Sequence, residues 1–308
     1  MNHDDWHRRA SILARDTSLS WREIARRIGK PKSTVADYLR SEMDAEPVGA
    51  KVLIFDIETA PGVAFIWSRW DKFVSHERII SEPGNVLTWS AKWLGADEVM
   101  NDASINYCDD PLDDFGVVDS LRMLLDECDI AVAHNGDRFD IKKLNTRFLY
   151  HGMRLPSPYK SVDTYKALKR VAGLDSASLD NAGAYFGLGR KLKHTGFELW
   201  RRCIDGDKAA FEEMLKYNDQ DVLLLERLYL KLRPADHRHP NLALYSDMSE
   251  VTCPRCNSSN VSARKDTYTY TSVAKYQVYE CGDCGAYARS RVTALAPGQR
   301  QNIIASTK

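Results

Sequence analysis

Lys51-Val52-Leu53-Ile54-Phe55-Asp56-Ile57-Glu58-Thr59 is the stretch on which the fold turns. Val52 to Phe55 are apolar and read as a buried strand that runs directly into two carboxylates two residues apart. Strand side chains alternate between faces, so Asp56 and Glu58 point the same way. Like charges so close resist joint ionisation unless a cation lies between them. The pair is a candidate divalent-metal site, or else two solvated acids where a strand meets a loop.

At 308 residues the chain exceeds one average domain, and two or three modules are expected. A hydrophobic content of 44% is ordinary for a globular protein. The formal net charge is zero, so no global basic field announces a polyanionic partner and local charge has to be examined instead. No apolar run approaches a membrane span, and Met1-Asn2-His3-Asp4-Asp5-Trp6 is polar and charged, unlike a signal peptide. The expectation is a cytoplasmic protein with no membrane partner. Seven cysteines is an odd number for a disulfide framework, and four of them form two C-x-x-C pairs, a pattern that points to metal.

In the first fifty residues, Trp6, Ala10 and Leu13 have helical spacing, and a polar break follows at Asp16-Thr17-Ser18. Ser20 caps a second helix, with Glu23 completing a capping box and Ile24, Ala25 and Ile28 as its apolar face. Gly29-Lys30-Pro31 makes a turn, and a third helix begins at Ser33-Thr34-Val35. Helix, Gly-containing turn, helix is the helix-turn-helix arrangement. Trp21-Arg22-Glu23-Ile24-Ala25-Arg26-Arg27-Ile28-Gly29 with Ser33-Thr34-Val35 resembles small domains of resolvase and regulator type. Residues 20–40 carry six basic and two acidic side chains, which suits phosphate contact. If DNA is bound, Lys30, Lys32, Ser33 and Thr34 are the expected contacts; a protein-docking three-helix module is the alternative. Residues 43–49 read as a linker.

The next two hundred residues alternate. Residues 86–93 and 98–105 suit strands following the first, 115–128 a helix, 130–134 a short buried strand and 139–149 a helix. Asp163 caps a helix over 164–171, and 211–232 form a long helix. Strands first, then helix and strand in alternation, predict an α/β mixed sheet flanked by helices. His134-Asn135-Gly136-Asp137-Arg138-Phe139-Asp140 places Asp140 in the first turn of a helix at a strand end, where ligands dock in open α/β sheets. Tyr217 and Asp221 are i and i+4 on the long helix, on a face continued by Leu224, Leu225 and Leu228, so they look inward. A carboxylate turned inward needs a partner, and a metal ion supplies one.

Asp56-x-Glu58, Asn135-x-x-x-Phe139-Asp140 and Tyr217-x-x-x-Asp221, in that order, resemble the three motifs of the DEDD 3′→5′ exonucleases of DnaQ-like, RNase H-like type. The tyrosine is similar to the branch that holds the proofreading domains of family B DNA polymerases and their stand-alone relatives. The resemblance covers residues 50–233. It implies two Mg²⁺ or Mn²⁺ ions that activate a water and neutralise the leaving oxygen. By resemblance Asp56 bridges both ions, Glu58 and Asp221 complete the first site, and Asp140 holds the second ion partly through water. Tyr217 positions the attacking water, since a phenol with a pKa of about 10 is a poor base at neutral pH. Thr59, Asn135 and Phe139 would touch the terminal nucleotides.

Other residues compete less well. Asp219 reads as a solvated acid, His134 as a strand-end histidine satisfied by backbone, and Cys108, Cys128 and Cys203 as ordinary thiols. Phe65-Ile66-Trp67-Ser68-Arg69-Trp70 suits either base stacking or core packing. Arg190-Lys191-Leu192-Lys193-His194 is a basic loop that either holds a phosphate backbone, with Lys193 as the contact, or is merely solvated.

Near the C-terminus, Cys253-Pro254-Arg255-Cys256 and Cys281-Gly282-Asp283-Cys284 are separated by twenty-four residues that alternate like hairpin strands. Two such knuckles resemble a zinc ribbon with one structural Zn²⁺ in a Cys₄ site. Residues 246–308 carry eight basic and five acidic side chains with tyrosines interleaved, so nucleic-acid binding and protein docking both remain open there. The expected layout is a helix-turn-helix over 1–46, a nuclease domain over 50–235 and a zinc ribbon over 246–295. The expected activity is 3′→5′ exonuclease, on a DNA single strand or 3′ end, with RNA open. A transposon- or RuvC-type endonuclease and a DNA-binding regulator with a degenerate core are the alternatives.

Overall fold

The computed structural model describes Trp6, Ala10, Leu13, residues 20–36, Tyr38, residues 49–70, 73–193 and 195–305, and Thr307, with Trp21 by its backbone alone. Most of the expected helix 6–15, the break at 16–18, the end of the third helix, most of the linker 43–49 and His194 lie outside the described residues. The chain divides into two compact units, Met1–Val48 and Gly49–Lys308. Among the described residues no helix is long and apolar enough to cross a membrane.

In the first unit, α1 (Trp21–Ile28) begins where Ser20 Oγ accepts the Glu23 N–H at 3.3 Å. The Glu23 carboxylate turns instead to Arg26 and Arg27, at 2.7 and 3.0 Å. Gly29 ends the helix at φ 72°, a left-handed conformation that glycine takes at no steric cost. Residues 32–36 are helical again. Ala10, Ile24, Ala25 and Val35 bury together, with Trp6, Leu13, Ile28 and Tyr38 packed around them. Lys30, Lys32, Ser33 and Thr34 are exposed.

The second unit is built on a five-stranded sheet, order β5-β4-β1-β6-β7, flanked by helices: the RNase H-like α/β fold. Its strands are β1 (Val52–Thr59), β4 (Val86–Trp93), β5 (Met100–Ala103), β6 (Ile130–Ala133) and β7 (Lys160–Asp163), while β2 (Val63–Ala64) and β3 (Ile79–Ser81) form a separate hairpin between β1 and β4. The helices are α2 (Phe115–Glu127), α3 (Asp140–Tyr150), α4 (Thr164–Val171), α5 (Leu179–Tyr185), α6 (Phe197–Ile204) and α7 (Lys208–Leu232). β1 is the middle strand, antiparallel to β4 and parallel to β6. The hairpin, β7, α5 and α6 carry too little periodicity in sequence to be foreseen.

Alternation along β1 divides the core. Leu53, Phe55 and Ile57 pack with Val118, Leu121, Leu144 and Phe148 of α2 and α3. Val52 and Ile54 face the other way, onto Val222, Leu225 and Leu228 of α7. Asp56 and Glu58 continue that second row, so they are aimed at α7. The expected strand 98–105 stops at Ala103 because Ser104–Asn106 tighten into a 3₁₀ turn.

Asp219, expected to be solvated, instead clamps α7 to the sheet: it accepts from Ser90 Oγ at 2.6 Å and from Asn101 Nδ2 at 2.9 and 3.0 Å. The two positions separating it from Tyr217 and from Asp221 turn it off their face but onto β4 and β5 rather than into water.

Downstream lies a three-stranded antiparallel sheet, order β10-β9-β8, of β8 (Val261–Tyr270), β9 (Lys275–Cys281) and β10 (Tyr287–Arg289).

Asp114 is fully buried where α2, α3 and β4 meet. Its carboxylate accepts the Val86 N–H at 2.9 Å and both Nε and Nη2 of Arg147, at 2.7 and 2.6 Å, with His151 Nε2 at 2.6 Å. Removing one member of a buried ion pair leaves the other charge uncompensated, at about 3–5 kcal/mol. D114A should lower the free energy of unfolding by that amount in urea denaturation; a loss under about 1 kcal/mol, the ceiling for exposed pairs, would show that the cluster is open to water.

Candidate active site

The register of β1 against β4 sets Asp56 opposite Ser90 and Glu58 opposite Thr88, with a bulge between Glu58 and Thr59. Asp221 and Tyr217 are both buried on α7. Oxygen atoms of Asp56, Glu58 and Asp221 lie within 4.8 Å of one another. Opposite ligands of one octahedral Mg²⁺ span about 4.2 Å, so the three carboxylates are close enough to share one ion, with water for the remaining positions. Asp140 stands apart from this trio. It is buried at the start of α3, and its Oδ1 accepts the Ile57 N–H at 3.3 Å.

Burial lifts the Asp56 carboxyl well above the usual range, and the charges of Asp140, Glu58 and Asp221 add to it. Burial likewise pushes Glu58 up to about 7, against the attraction of Lys191. Asp140 rises to about 6 by burial, although backbone N–H groups hold it down. Three carboxylates that resist ionisation, with Asp221 beside them and all four hard oxygen donors, are the chemistry that a divalent cation relieves. The donor set therefore fits Mg²⁺ or Mn²⁺.

Two residues that sequence reasoning did not single out reach this cluster. Lys191 Nζ donates to Asp221 Oδ2 at 2.5 Å and to the Tyr217 hydroxyl at 3.0 Å. Asn218 Nδ2 donates to Asp56 Oδ2 at 2.8 Å. The basic loop was visible in sequence, but Lys193, the expected contact, is exposed. Lys191 is the lysine that points in, because Asp180 on α5 accepts the Lys191 backbone N–H at 3.0 Å and pairs with Arg190 at 2.9 Å. Burial pushes the Tyr217 phenol up to about 12 despite Lys191, so it stays protonated at neutral pH and suits positioning rather than proton abstraction.

Thr59 and Phe139 line a cleft of about 450 Å³ together with Gly84, Lys143, Phe197 and Trp200. The Trp200 side chain also hydrogen-bonds Glu58, tying the cleft to the acids. Gly84 lies against Lys143 in this wall at φ 115°, a backbone conformation that side chains strain. Asn135 adopts φ 64° and is held by its N–H to Asp163 Oδ1 at 3.0 Å. The same Asp163 oxygen caps α4 through the Tyr165 and Lys166 N–H groups, the capping role expected of it. His134 is satisfied by Thr164 Oγ1 and the Ala177 carbonyl, at 2.9 and 3.0 Å.

Phe65-Ile66-Trp67-Ser68-Arg69-Trp70 does not enter the core. Phe65, Trp67 and Trp70 are 73%, 92% and 81% exposed on the connection between β2 and β3, so the core-packing reading of that stretch does not hold.

Cys253, Cys256, Cys281 and Cys284 converge, with Sγ–Sγ distances of 3.6 Å for Cys253–Cys284 and for Cys256–Cys281. A disulfide needs about 2.05 Å. A tetrahedral ion bound to sulfur at about 2.3 Å sets the sulfurs about 3.8 Å apart, which these four match.

Residues 85–233 match the sequence profile of the RNase H superfamily, a span that contains Asp140, Tyr217 and Asp221 and begins after β1. No curated protein matches the sequence. Among solved structures, 60% of the chain superposes on the family B DNA polymerase of the hyperthermophilic archaeon Pyrobaculum calidifontis, at 21% identity and a TM-score of 0.45. This chain spans 25% of that polymerase's length. The superfamily match and the acid cluster together support a nuclease, a hydrolase acting on nucleic acid.

Glu58 gives a signed expectation. Its folded-state value of about 7 lies above the ordinary 4.5, so the folded chain holds the proton more tightly than the unfolded one does. Stability contributed at Glu58 is therefore present below pH 4.5 and is lost as pH rises to about 7. Thermal denaturation without Mg²⁺ or Mn²⁺ should show a fall in Tm across that window, and E58Q should make it shallower, since Asp140 still titrates there. An equally steep fall in E58Q would show that burial does not hold the proton on Glu58.

Proposed function

We propose that the chain is a metal-dependent 3′→5′ exonuclease that removes nucleotides from a single-stranded or frayed 3′ end, DNA in preference to RNA. The observation that supports this most is the convergence of Asp56, Glu58 and Asp221, from the central strand and the facing helix, with Tyr217 one helical turn away on the same face. Asp56, Glu58 and Asp221 would hold one Mg²⁺ or Mn²⁺, and Asp56 with Asp140 a second. When bound, such ions make water nucleophilic at neutral pH and stabilise charge on the departing oxygen.

The chain's own groups supply the rest. Tyr217, protonated, orients the attacking water through its hydroxyl. Lys191 keeps a positive charge beside Asp221, where negative charge gathers as the phosphodiester is attacked. Asn218 fixes the rotamer of Asp56. Thr59, Asn135 and Phe139 hold the terminal nucleotides in the cleft beside Trp200, and the exposed rings between β2 and β3 offer a stacking platform for the unpaired strand. Lys193 would contact the backbone from solvent. The first unit would add a DNA contact through Lys30, Lys32, Ser33 and Thr34, and the four cysteines would hold one structural Zn²⁺ that supports the small sheet.

Either D56N or D221N should abolish Mg²⁺-dependent shortening of a 5′-labelled oligonucleotide while circular dichroism stays native. Y217F should retain a fraction, down about tenfold to a hundredfold, as expected for a group that orients rather than ligates. A wild-type ladder that shortens from the 3′ end fixes the polarity. Release of the 5′ nucleotide first, or cutting of a covalently closed single-stranded circle, would overturn the exonuclease reading in favour of another nuclease. C281S should lose bound zinc and the protease resistance of residues 253–291; a resistant, zinc-free protein would show that the sheet stands without metal.

A further inference from the structure

The three-stranded sheet carries a second cleft, of about 450 Å³, that the acid cluster does not use. On β10, Tyr287 and Arg289 are two residues apart and share one face. Arg289 pairs with Val278 on β9, and its guanidinium lies 4.0 Å from the centre of the Tyr276 ring. Arg264 lies 5.4 Å from the ring of Tyr287 and also pairs with Glu280 at 3.7 Å, so Glu280 is already engaged. The opposite wall is Arg255, from the first cysteine knuckle, and His237, from the segment after α7.

Arg255 Nη1 donates to the His239 carbonyl at 2.7 Å, which fixes the guanidinium in place. Its Nε is buried and has no hydrogen-bond acceptor among the described residues. Among the described residues no carboxylate lines the cleft, and its mouth is framed by two arginines, a tyrosine and Thr269. A buried donor without an acceptor is unfavourable, and an anion within its reach would relieve it. Guanidinium groups held by rings and carbonyls are already ordered, so little further entropy is lost when a tetrahedral oxyanion is bound.

We propose that this cleft binds a backbone phosphodiester of a nucleic-acid strand, with Arg289 and Arg255 on the phosphate and Tyr287 against the adjoining sugar or base. It gives the chain a phosphate contact that reads no sequence and fixes the strand's position. The assignment rests on the cleft's own chemistry and does not require the acid cluster to be hydrolytic.

The test is fluorescence anisotropy of a labelled single-stranded oligonucleotide on the full chain, without Mg²⁺ or Mn²⁺, over a series of salt concentrations. R289A should weaken binding several-fold and flatten the slope of log K against log salt by about 0.7, the loss of one single-strand phosphate contact. R289K should keep most of the slope, and both variants should retain zinc. Equal affinity and slope in wild type, R289A and R289E would overturn the proposal. So would complete displacement of the oligonucleotide by inorganic phosphate at matched phosphate concentration, which would make the cleft a free-phosphate site. Hydrolysis of the p-nitrophenyl ester of thymidine 5′-monophosphate should be the same in R289A as in wild type. Failure of wild type itself to cleave that ester would count against the nuclease reading and leave the cleft standing.

Discussion

The constraint on which the structure depends is that β1 must be apolar on both faces for most of its length and then acidic on one. Leu53, Phe55 and Ile57 are nearly fully enclosed against α2 and α3, and Val52 and Ile54 against α7. That double burial leaves the strand no freedom to slip, because a shift of one residue would exchange its two faces. Asp56 and Glu58 are consequently held where they repel each other, Asp140 and Asp221. The fold tolerates the arrangement through a few directed contacts: Lys191 on Asp221, Asn218 on Asp56, and the Ile57 N–H on Asp140.

α7 supplies the second half of the same constraint. It runs for 25 residues along the sheet and is anchored at several heights. Asp219 holds it to β4 and β5, and Lys92 pairs with Glu226 between β4 and the helix. Rotation of α7 about its axis would withdraw Asp221 and Tyr217 from β1. These polar anchors beside the apolar stripe oppose such rotation, since directional bonds specify an angle that non-directional burial leaves loose.

The elements around this pair differ in how they present charge. The acid cluster concentrates negative charge in an enclosed place, whereas the cysteine-bearing sheet arrays arginines and tyrosines at its surface, with Lys275 over Tyr268, Arg289 over Tyr276 and Arg264 over Tyr287. The formal net charge of zero is thus a sum of opposed local fields. A polyanion would be repelled at the acids unless cations neutralised them, whereas the arginines of the small sheet carry the opposite sign.

The sequence by itself determined the central strand, the mixed α/β class, the facing helix and the two cysteine knuckles, because each rests on local periodicity or spacing. Apolar alternation and helical repeats are properties of short windows, so Val52 to Glu58 and Tyr217 to Leu228 were legible without neighbours. The tertiary structure alone decided which lysine of the 190–193 loop enters the site, for that choice is made by Asp180 on α5, a helix of 7 residues too short to read from its pattern. It also decided that Asp219 braces the sheet and that the rings of 65–70 stay outside the core. Asp219 meets Ser90 and Asn101 more than a hundred positions away, a pairing that leaves no mark in either segment taken alone.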